Sequence, residues 1–429
     1  MNSLLYYAEQ AGLSDSQLDT AVSEFLASLG NAPKKVLLLP PDITRLHSAG
    51  GIIASKLYHA LKDTAEVYLM PALGTHEPMS KAERERFFDR IPEDRFLVHD
   101  WKNGVKTIGT VPASFVCEVS EGIMDEDIPV EVNRELIDGG YDLIVSMGQV
   151  VPHEVVGMAN YSKNIFVGIG GSAMINRSHM LGALYGLERM MGRDHTPVRK
   201  VFDYAQEHFL AGLPLYFFQT VTTNDGDGLH IHGLFVGDKR EVFEKAVALA
   251  QEKNMIFVDK PFSKVVVYLD PSEFKSTWLG NKAVYRTRMA MADGGELIIL
   301  APGVRHFGED PENDRVIRKY GYVGREKVLQ LFRTEEELQK NQSVAAHLVH
   351  GSSDGRFSIT YCTDPALLTA EEVRSVNYAH INYADAVRHY DPTVLRDGLQ
   401  TLPDSEEIFY ISNPALGLWA DRARFDAAE

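Results

Sequence analysis

The stretch Val36-Leu37-Leu38-Leu39-Pro40-Pro41-Asp42-Ile43-Thr44-Arg45-Leu46 joins an unbroken apolar run to a polar turn. Such a run is typical of a parallel strand that is buried on both faces of its sheet. After Gly50-Gly51 an apolar segment with helical spacing begins, and a turn between strand and helix directs backbone N–H groups at an anion. Asp42, Thr44 and Arg45 are therefore candidates for holding a phosphate or carboxylate. Alternatively, Asp42 caps the helix and Arg45 pairs with it at the surface.

Short apolar runs and amphipathic segments alternate along the rest of the chain, which predicts an α/β fold. A first helix is indicated by the capping-box pattern Ser14-Asp15-Ser16-Gln17 and ends at Gly30. The chain pauses around residues 260–263, between two sets of strands. Strands are predicted at residues 36–40, 67–71, 96–100, 143–147, 165–169, 265–269, 297–300, 357–361 and 408–411.

The composition limits the classes of function that need to be considered. Among 429 residues, 60 acidic and 43 basic side chains give a formal net charge of -17, which repels nucleic-acid phosphates and anionic membranes. No apolar run approaches the ~20 residues that span a bilayer, and the N-terminus lacks a signal-peptide pattern. Cys117 and Cys362 are far apart, which indicates neither a disulfide framework nor a thiolate metal site. We expect a cytoplasmic protein with a small-molecule substrate and neither nucleic-acid nor membrane partners.

Three histidines and a lysine in the first half of the chain point to chemistry. His76 and His153 each lie in a proline-flanked turn after a predicted strand, where ligands of open parallel sheets bind. A histidine pKa near 6.5 suits proton transfer. Taken singly, Lys163 could be solvated and His179 could lie on a helix surface, but together the four residues indicate a bound cofactor or metal. Other histidines, including His59, His99 and His306, are expected to be structural.

A glycine-rich turn follows the predicted strand at 165–169. Gly168, Gly170 and Ala173 fit the G-x-G-x-x-A form of the dinucleotide fingerprint. That fingerprint normally opens the first strand–helix unit and is followed by an acid at the end of the next strand, whereas here it lies in the middle of the chain. Gly170 and Gly171 could still admit a phosphate or a flat ring close to the backbone. We therefore assign both glycines to cofactor binding.

These residues together carry a family resemblance that spans most of the chain. Their order and approximate spacing resemble those of the nickel-dependent lactate racemase family, and the motifs concerned are Asp42-x-Thr44-Arg45, Gly74-Thr75-His76, Pro152-His153, Lys163, His179 and Lys282. The resemblance implies a cofactor, the nickel-pincer nucleotide (nickel pyridinium-3,5-bisthiocarboxylic acid mononucleotide), which is joined covalently to a lysine. The cofactor's two sulfurs and a ring carbon hold the nickel, and a histidine is the protein ligand.

By this resemblance Lys163 is the attachment lysine and His179 the nickel ligand. His76 and His153 would then be the catalytic acid–base pair, and Arg45 with Lys282 would bind the substrate carboxylate. We count Asp42 and Thr44 with the cofactor-binding residues. The resemblance also implies two α/β domains with the active site in the cleft: a Rossmann-like cofactor-binding domain with a parallel sheet, residues 1–260 plus the tail 408–429, and a smaller second domain, residues 261–407.

The implied activity is that of an isomerase, a racemase or epimerase of 2-hydroxy acids. The C2 hydrogen is barely acidic beside a carboxylate, and transfer as hydride avoids the need to remove it as a proton. One histidine takes the hydroxyl proton while the hydride leaves C2, and the planar 2-keto acid receives the hydride back on either face. Two other classes remain open, a NAD-dependent 2-hydroxyacid dehydrogenase and a non-catalytic acid-binding protein.

Two departures from the family pattern matter. Trp278-Leu279 stands where lactate racemase-like sequences usually show Tyr-Gln before the second-half lysine. A tryptophan can stack on the C–H face of a sugar-like chain, so we expect a substrate larger than lactate, such as the aldonic acid gluconate; alternatively, Trp278 belongs to the core between the domains. Asn160-Tyr161 replaces the glycine pair that is common ahead of the attachment lysine.

Overall fold

The computed structural model describes residues 3–8, 11–225 and 228–428. The chain divides into two compact units, each described by itself below. Unit 1 comprises Met1–Tyr185 and Met190–Asn254, and unit 2 comprises Gly186–Arg189 and Met255–Glu429. Within the described residues, no helix combines the length and the apolar character that crossing a lipid bilayer requires.

The strands of unit 1 form one main sheet and two short ladders. The strands are β1 (Leu4–Tyr7), β2 (Lys35–Leu39), β3 (Glu66–Leu69), β4 (Val105–Val111), β5 (Ile128–Asn133), β6 (Leu143–Gln149), β7 (Pro152–His153), β8 (Gly157–Met158), β9 (Leu215–Asp225) and β10 (Gly228–Gly237). The main sheet has the order β1-β10-β9-β6-β2-β3. Its β9, β6, β2 and β3 are parallel, whereas β10 and β1 add an antiparallel edge. Separately, β4 pairs with β5 and β7 with β8.

Helices and shorter helical turns connect these strands. Up to residue 254 the helices are α1 (Asp15–Ser28), α2 (Gly50–Leu61), α3 (Lys81–Phe87), α4 (Ala113–Val119), α5 (Arg134–Asp138), α6 (Ser172–Tyr185), α7 (Leu187–Met190), α8 (Pro197–Phe209) and α9 (Arg240–Asn254). Turns of 3-10 helix occur at Ile43–Ser48 and Glu93–Arg95, and a π-helical turn occurs at Asn164–Gly168. The predicted capping box is present at the start of α1, where Ser14 accepts from the Gln17 N–H.

Strand β2 shows why this sequence forms the centre of the sheet. Successive side chains of a strand point to opposite faces. Val36 and Leu38 pack into the apolar cluster that includes residues of α1 and α2, while Leu37 and Leu39 pack into the cluster on the other face. All four side chains are fully buried. The unbroken apolar run therefore reports a parallel strand that is covered on both faces, as predicted.

Unit 2 is built on a second six-stranded sheet. Its strands are β11 (Met255–Val258), β12 (Phe262–Tyr268), β13 (Met291–Ala301), β14 (Phe357–Thr363), β15 (Ala379–Asn382), β16 (Gly398–Thr401), β17 (Glu407–Ile411) and β18 (Leu418–Asp421). The sheet order is β15-β14-β13-β12-β17-β16. All neighbours in it are parallel except β16 and β17, and β11 pairs with β18 separately.

The helices of unit 2 connect and cover this sheet. They are α10 (Thr277–Gly280), α11 (Lys282–Thr287), α12 (Pro311–Tyr320), α13 (Arg325–Thr334), α14 (Glu336–Lys340), α15 (Gln342–His350), α16 (Ala370–Ser375), α17 (Tyr383–Ala386) and α18 (Arg422–Ala427). The expected α/β architecture with parallel sheets and two units is thus confirmed.

Three details differ from the expectations. Residues 165–169 form a π-helical turn instead of a strand, because a short buried apolar run has no periodicity that separates strand from helix. Residues 96–100 do not pair as a strand beyond one bridge from Phe96 to Leu69, and Val98 is 61% exposed. Residues 408–429 lie in unit 2, since β17 pairs with β12 there, whereas the tail was expected in the first domain.

Candidate active site

Three of the candidate residues follow neighbouring parallel strands of unit 1. Asp42 follows β2, His76 lies in the loop after β3, and His153 lies just beyond the end of β6. Because β6, β2 and β3 are adjacent and parallel, their carboxyl ends lie at one edge of the sheet, where open α/β sheets bind ligands. The structure therefore brings these side chains to the same edge, as their positions after predicted strands indicated.

Asp42 and His76 form a hydrogen-bonded pair. The Nδ1–H of His76 donates to Asp42 Oδ2 at 2.6 Å, and Asp42 is only 3% exposed. The Thr44 N–H and hydroxyl donate to Asp42 Oδ1 at 3.1 and 2.6 Å. Burial is the strongest influence on the pKa of Asp42 and opposes ionisation, but the His76 ring, Thr44 and the Arg45 guanidinium together hold that pKa below its usual value.

This pairing sets the state of the His76 ring. A carboxylate that accepts from Nδ1–H fixes the tautomer, so Nε2 keeps its lone pair and can accept a proton. The carboxylate also stabilises the imidazolium that results. Asp42 and Thr44, which we expected to bind the cofactor, are thus engaged with each other and with His76 in this structure.

His153 is held in the opposite tautomer. The Val155 N–H donates to His153 Nδ1 at 3.1 Å, and Glu154 Oε2 lies 3.7 Å from the same nitrogen. An Nδ1 that accepts a hydrogen bond carries no proton, so the proton of the neutral ring is on Nε2. The two histidines are therefore complementary, since Nε2 carries no proton in His76 and carries one in His153.

Lys163 lies immediately before the π-helical turn and is tied to the same sheet edge. The side-chain amide of Asn164 donates to the Leu39 carbonyl at 3.2 Å and to Ser146 Oγ at 2.8 Å, near the ends of β2 and β6. Burial lowers the pKa of Lys163 to about 8, and the nearby positive charge of Arg45 contributes to the shift. A substantial fraction of the amine is therefore neutral near physiological pH, which is the nucleophilic form.

The two residues that replace the family's glycine pair keep a backbone conformation that favours glycine. Asn160 has a φ of 67° and Tyr161 a φ of 55°, both in the left-handed region. This region costs roughly 1–2 kcal/mol per residue for side chains other than glycine, and a bulky residue there is a genuine outlier. The strain must therefore be offset by the surroundings of the turn.

His179 has the chemistry of a metal ligand. It lies on α6, and its Nδ1–H donates to the Ile175 carbonyl at 2.6 Å, which leaves the Nε2 lone pair for a metal. Burial lowers the pKa of His179 to about 4, so the ring is neutral at physiological pH. A neutral imidazole with one nitrogen fixed by a backbone carbonyl is the form that binds nickel or zinc.

The glycine-rich turn has a packing explanation within the protein. A Cβ on Gly170 would collide with the Phe166 carbonyl, and a Cβ on Gly171 would collide with the Glu131 carboxylate. That carboxylate also accepts from the Ala173 N–H at 2.8 Å, at the start of α6. Because the chain's own carboxylate is at the start of this helix, the turn does not favour a dinucleotide phosphate there.

His99 is a satisfied core residue, as expected. It is 3% exposed, its Nε2–H donates to the Gly170 carbonyl at 3.0 Å, and Asn133 Nδ2 donates to its Nδ1 at 3.0 Å. His59 and His306 likewise hydrogen-bond to backbone carbonyls. His99 thereby anchors the Gly170 carbonyl in the protein core.

The candidates in unit 2 lie on α10 and α11. The ring of Trp278 is half-buried and stacks on His347, with centroids 4.3 Å apart and planes 19° apart. The hydroxyls of Tyr285 and Tyr322 lie 2.8 Å from the two ring nitrogens of His347. Lys282 is 6% exposed. The ring of Trp278 therefore packs on a histidine that is itself held by two tyrosine hydroxyls.

A further group of ligand-type side chains in unit 1 does not resemble a metal site. Asp194, His195 and Glu244 bring their ligand atoms within 4.8 Å of one another. However, Arg240 pairs with Asp194 at 2.8 Å and with Glu244 at 2.9 Å. The guanidinium already supplies the positive charge that these carboxylates require.

Sequence reasoning missed Arg199, which lies on α8 and is fully buried behind Lys163. A lone arginine in an amphipathic helix is normally taken as solvent-exposed. The available signal was its spacing, because Arg199 stands three residues before Phe202 on a face that is otherwise apolar.

Comparisons with known proteins point to lactate racemases. Residues 13–190 match the family model described as the lactate racemase N-terminal domain. The chain is 23% identical to the lactate racemase of Thermoanaerobacterium thermosaccharolyticum over 326 residues, which cover 71% of this chain and 70% of that protein.

Two solved structures share the fold. A Thermotoga maritima protein from the Northeast Structural Genomics Consortium superposes with a TM-score of 0.82 at 25% identity, covering 97% of this chain and 100% of that one. The lactate racemase apoprotein of Thermoanaerobacterium thermosaccharolyticum superposes with a TM-score of 0.68 at 17% identity, covering 96% of this chain and 94% of that one.

Proposed function

We propose that this chain, whose residues 13–190 match the lactate racemase N-terminal domain, is a member of the lactate racemase-like family and inverts C2 of a 2-hydroxy acid. The reaction would proceed by hydride transfer through a 2-keto acid, with the nickel-pincer nucleotide as cofactor. The observation that carries this proposal is the pair of histidines in opposite tautomers, His76 held by Asp42 and His153 held by the Val155 amide. Inversion at C2 needs a proton acceptor and a donor, and one sheet edge supplies both.

The proton transfers follow from these tautomers. Nε2 of His76 accepts the substrate hydroxyl proton, and Asp42 stabilises the resulting imidazolium through Nδ1–H. The N–H at Nε2 of His153 can donate a hydrogen bond to the oxygen at C2 as the keto acid forms. For His153 to return a proton, its ring must first become an imidazolium, which Glu154, 3.7 Å from Nδ1, would stabilise.

The residues present fit the proposed cofactor. Lys163 supplies a partly neutral amine for the covalent link, and His179 supplies a neutral imidazole with a free nitrogen for nickel. When bound, the cofactor provides a reversible acceptor for the C2 hydride. Gly170 and Gly171, close in sequence to both residues, stay assigned to cofactor binding as a prediction.

Arg45 is the residue of unit 1 that we assign to the substrate carboxylate. Its charge lowers the pKa of both Asp42 and Lys163, so its guanidinium lies near both groups. A guanidinium can hold a carboxylate with two parallel hydrogen bonds, which keeps the acid end still while C2 presents alternate faces. Lys282 keeps the same role as a prediction from the family resemblance.

The mechanism can be tested with a 2-hydroxy acid deuterated at C2. We expect inverted product to keep most of its deuterium, because a hydrogen that is transferred as hydride does not exchange readily with water. An unlabelled substrate in heavy water serves as the control and should gain little label at C2. Rapid exchange in either experiment would establish proton abstraction instead, and stoichiometric reduction of added NAD would favour the dehydrogenase alternative.

For the substrate we propose a 2-hydroxy acid larger than lactate, with an aldonic acid such as gluconate as the first candidate. Trp278 is stacked on His347 through its ring and is only half-buried, so part of the ring is available to the C–H face of a polyol. The supporting pair Trp278-Leu279 replaces the Tyr-Gln of lactate racemase-like sequences.

We expect the double substitution Trp278→Tyr with Leu279→Gln to move the ratio of kcat/KM values towards lactate by about 10-fold or more, the size of effect that one pocket contact commonly has. Initial rates with lactate and gluconate measure this ratio. Trp101→Tyr, a tryptophan change in unit 1, is the matched control. An unchanged ratio in the double variant would remove the reason for favouring a sugar acid and leave Trp278 a packing residue.

A further inference from the structure

A buried arginine lies behind the turn that carries Lys163. Arg199 is fully buried on α8. Its Nη2 donates to the Met158 carbonyl at 2.6 Å and to the Asn160 carbonyl at 3.2 Å, while its Nη1 donates to Ser162 Oγ at 2.6 Å. One planar guanidinium thus binds two backbone carbonyls and one hydroxyl of residues 158–162, immediately before Lys163.

The same turn contains the strained pair Asn160 and Tyr161. Asn160 Nδ2 donates to the Gly148 carbonyl at 2.7 Å, and the Tyr161 ring stacks on Phe243 with centroids 5.1 Å apart. The Arg199 guanidinium lies 4.4 Å from the centroid of that same Phe243 ring. Arginine, phenylalanine and tyrosine therefore pack against one another and hold a backbone course that a tyrosine rarely adopts.

Further contacts fix Arg199 itself. The Ser162 hydroxyl, which accepts from Arg199, donates to Asp203 Oδ1 at 2.9 Å. Asp203 also accepts from Arg240 Nε at 2.8 Å. These bonds connect the turn to α8 and α9.

We propose that Arg199 is a positioning residue, whose guanidinium holds residues 158–162, including the left-handed pair Asn160 and Tyr161, and thereby fixes where the Lys163 amine lies. A glycine pair adopts the left-handed region without steric cost. In this chain the hydrogen bonds of the planar Arg199 guanidinium would offset that cost. The inference rests on the proposed function only in giving Lys163 its role as attachment residue.

The test measures the reactivity of the Lys163 amine in full-length protein made without the cofactor. The probe is the sulfo-N-hydroxysuccinimide ester of acetate, and acetylation of the Lys163 peptide is followed by mass spectrometry from pH 7 to 11, with Lys102 as the internal rate reference. In the wild type the midpoint should fall near the pKa of about 8. The charged groups that influence this amine are Arg45, Glu154, Asp42 and Arg199, and the same amine also influences His179.

Arg199→Lys keeps the positive charge but cannot hold three acceptors at once. We expect its midpoint to rise by about one pH unit or more, because a loosened turn lets the amine reach water and regain its ordinary pKa. Arg286→Lys changes an equally buried arginine of unit 2 and should leave the midpoint unchanged. A folded Arg199→Lys protein with the same midpoint as the wild type overturns the proposal, since charge alone would then explain the role of Arg199.

Ser162→Ala is the milder variant and decides the matter if Arg199→Lys does not fold. It removes one of the three acceptors and should raise the midpoint by a smaller amount; no rise in a folded Ser162→Ala protein counts against the proposal. Wild-type protein from a cofactor-producing host separates the two claims. If it carries no adduct on Lys163 while the midpoint still shifts in Arg199→Lys, the proposed function fails and the positioning role stands.

Discussion

The Lys163→Ala variant, purified from a cofactor-producing host, should carry no covalent nucleotide and should show no measurable turnover. The amine at position 163 is the nucleophile that the proposed link requires, and burial keeps part of it neutral near physiological pH. Intact-mass measurement should find an adduct of several hundred daltons in the wild type, located on the peptide that contains Lys163. Lys200→Ala, an exposed lysine on α8, should keep both adduct and turnover.

His179→Ala should separate metal binding from attachment in the same experiment. We expect this variant to retain the adduct on Lys163 but to lose nickel and turnover together, because the neutral Nε2 of His179 is the proposed protein ligand. His208→Ala, an exposed histidine of α8, should keep its nickel. An adduct on a different lysine would contradict the assignment of Lys163. Full nickel occupancy in His179→Ala would contradict the assignment of His179 and make His153 the first alternative ligand to examine.

Asp42→Asn should reduce turnover by about 10²-fold or more, and His76→Gln by about 10²–10⁴-fold, the usual contribution of a general base. Asparagine presents no carboxylate to the Nδ1–H of His76, so neither the tautomer nor the imidazolium is stabilised. Steady-state rates on either stereoisomer measure the loss. Thr44→Val removes one hydrogen bond to Asp42 Oδ1 but leaves its carboxylate facing His76, and its loss should be clearly smaller.

The same pair predicts a pH dependence of stability. Because the folded-state pKa of Asp42 lies below its ordinary value of 3.8, the pair contributes stability above that pH and loses it as the pH falls through the folded-state pKa. Asp42→Asn should therefore lower the melting temperature at pH 7, and the difference from the wild type should shrink below about pH 4. A difference that stays constant down to pH 2 would show that the Asp42 carboxylate contributes no such linkage.

The candidate site shows how far local reasoning reaches. His76 and His153 were found because each lies in a proline-flanked turn after an apolar run, and parallel strands place such turns at one edge. Asp42 was singled out for the same reason, but its partner was not predicted. Its hydrogen bond to His76 joins residues that are 34 positions apart, and no local pattern records which side chain a carboxylate will meet.

The turn around Lys163 shows where prediction from local sequence fails. The pattern of residues 165–169 predicts a strand, whereas the structure has a π-helical turn at Asn164–Gly168, because a five-residue buried run satisfies either geometry. The left-handed backbone at Asn160 and Tyr161 could be suspected from the glycine pair of related sequences. The side chain that hydrogen-bonds to this turn could not be predicted, since Arg199 lies on a helix almost forty residues further along the chain.

Patterns that repeat within a few residues were enough to predict the α/β architecture and the capping box of α1. They also predicted β2, β3 and β6 of the first main sheet and β12, β13, β14 and β17 of the second. These features depend on the direction of successive side chains and on hydrogen bonds between near neighbours, which are local properties of a sequence. The tertiary structure alone decided the Asp42–His76 pair, the opposite tautomers of the two histidines and the hydrogen bonds from Arg199 to the turn before Lys163. Those contacts exist only where folding has brought distant segments within about 3 Å of each other and removed water from around them.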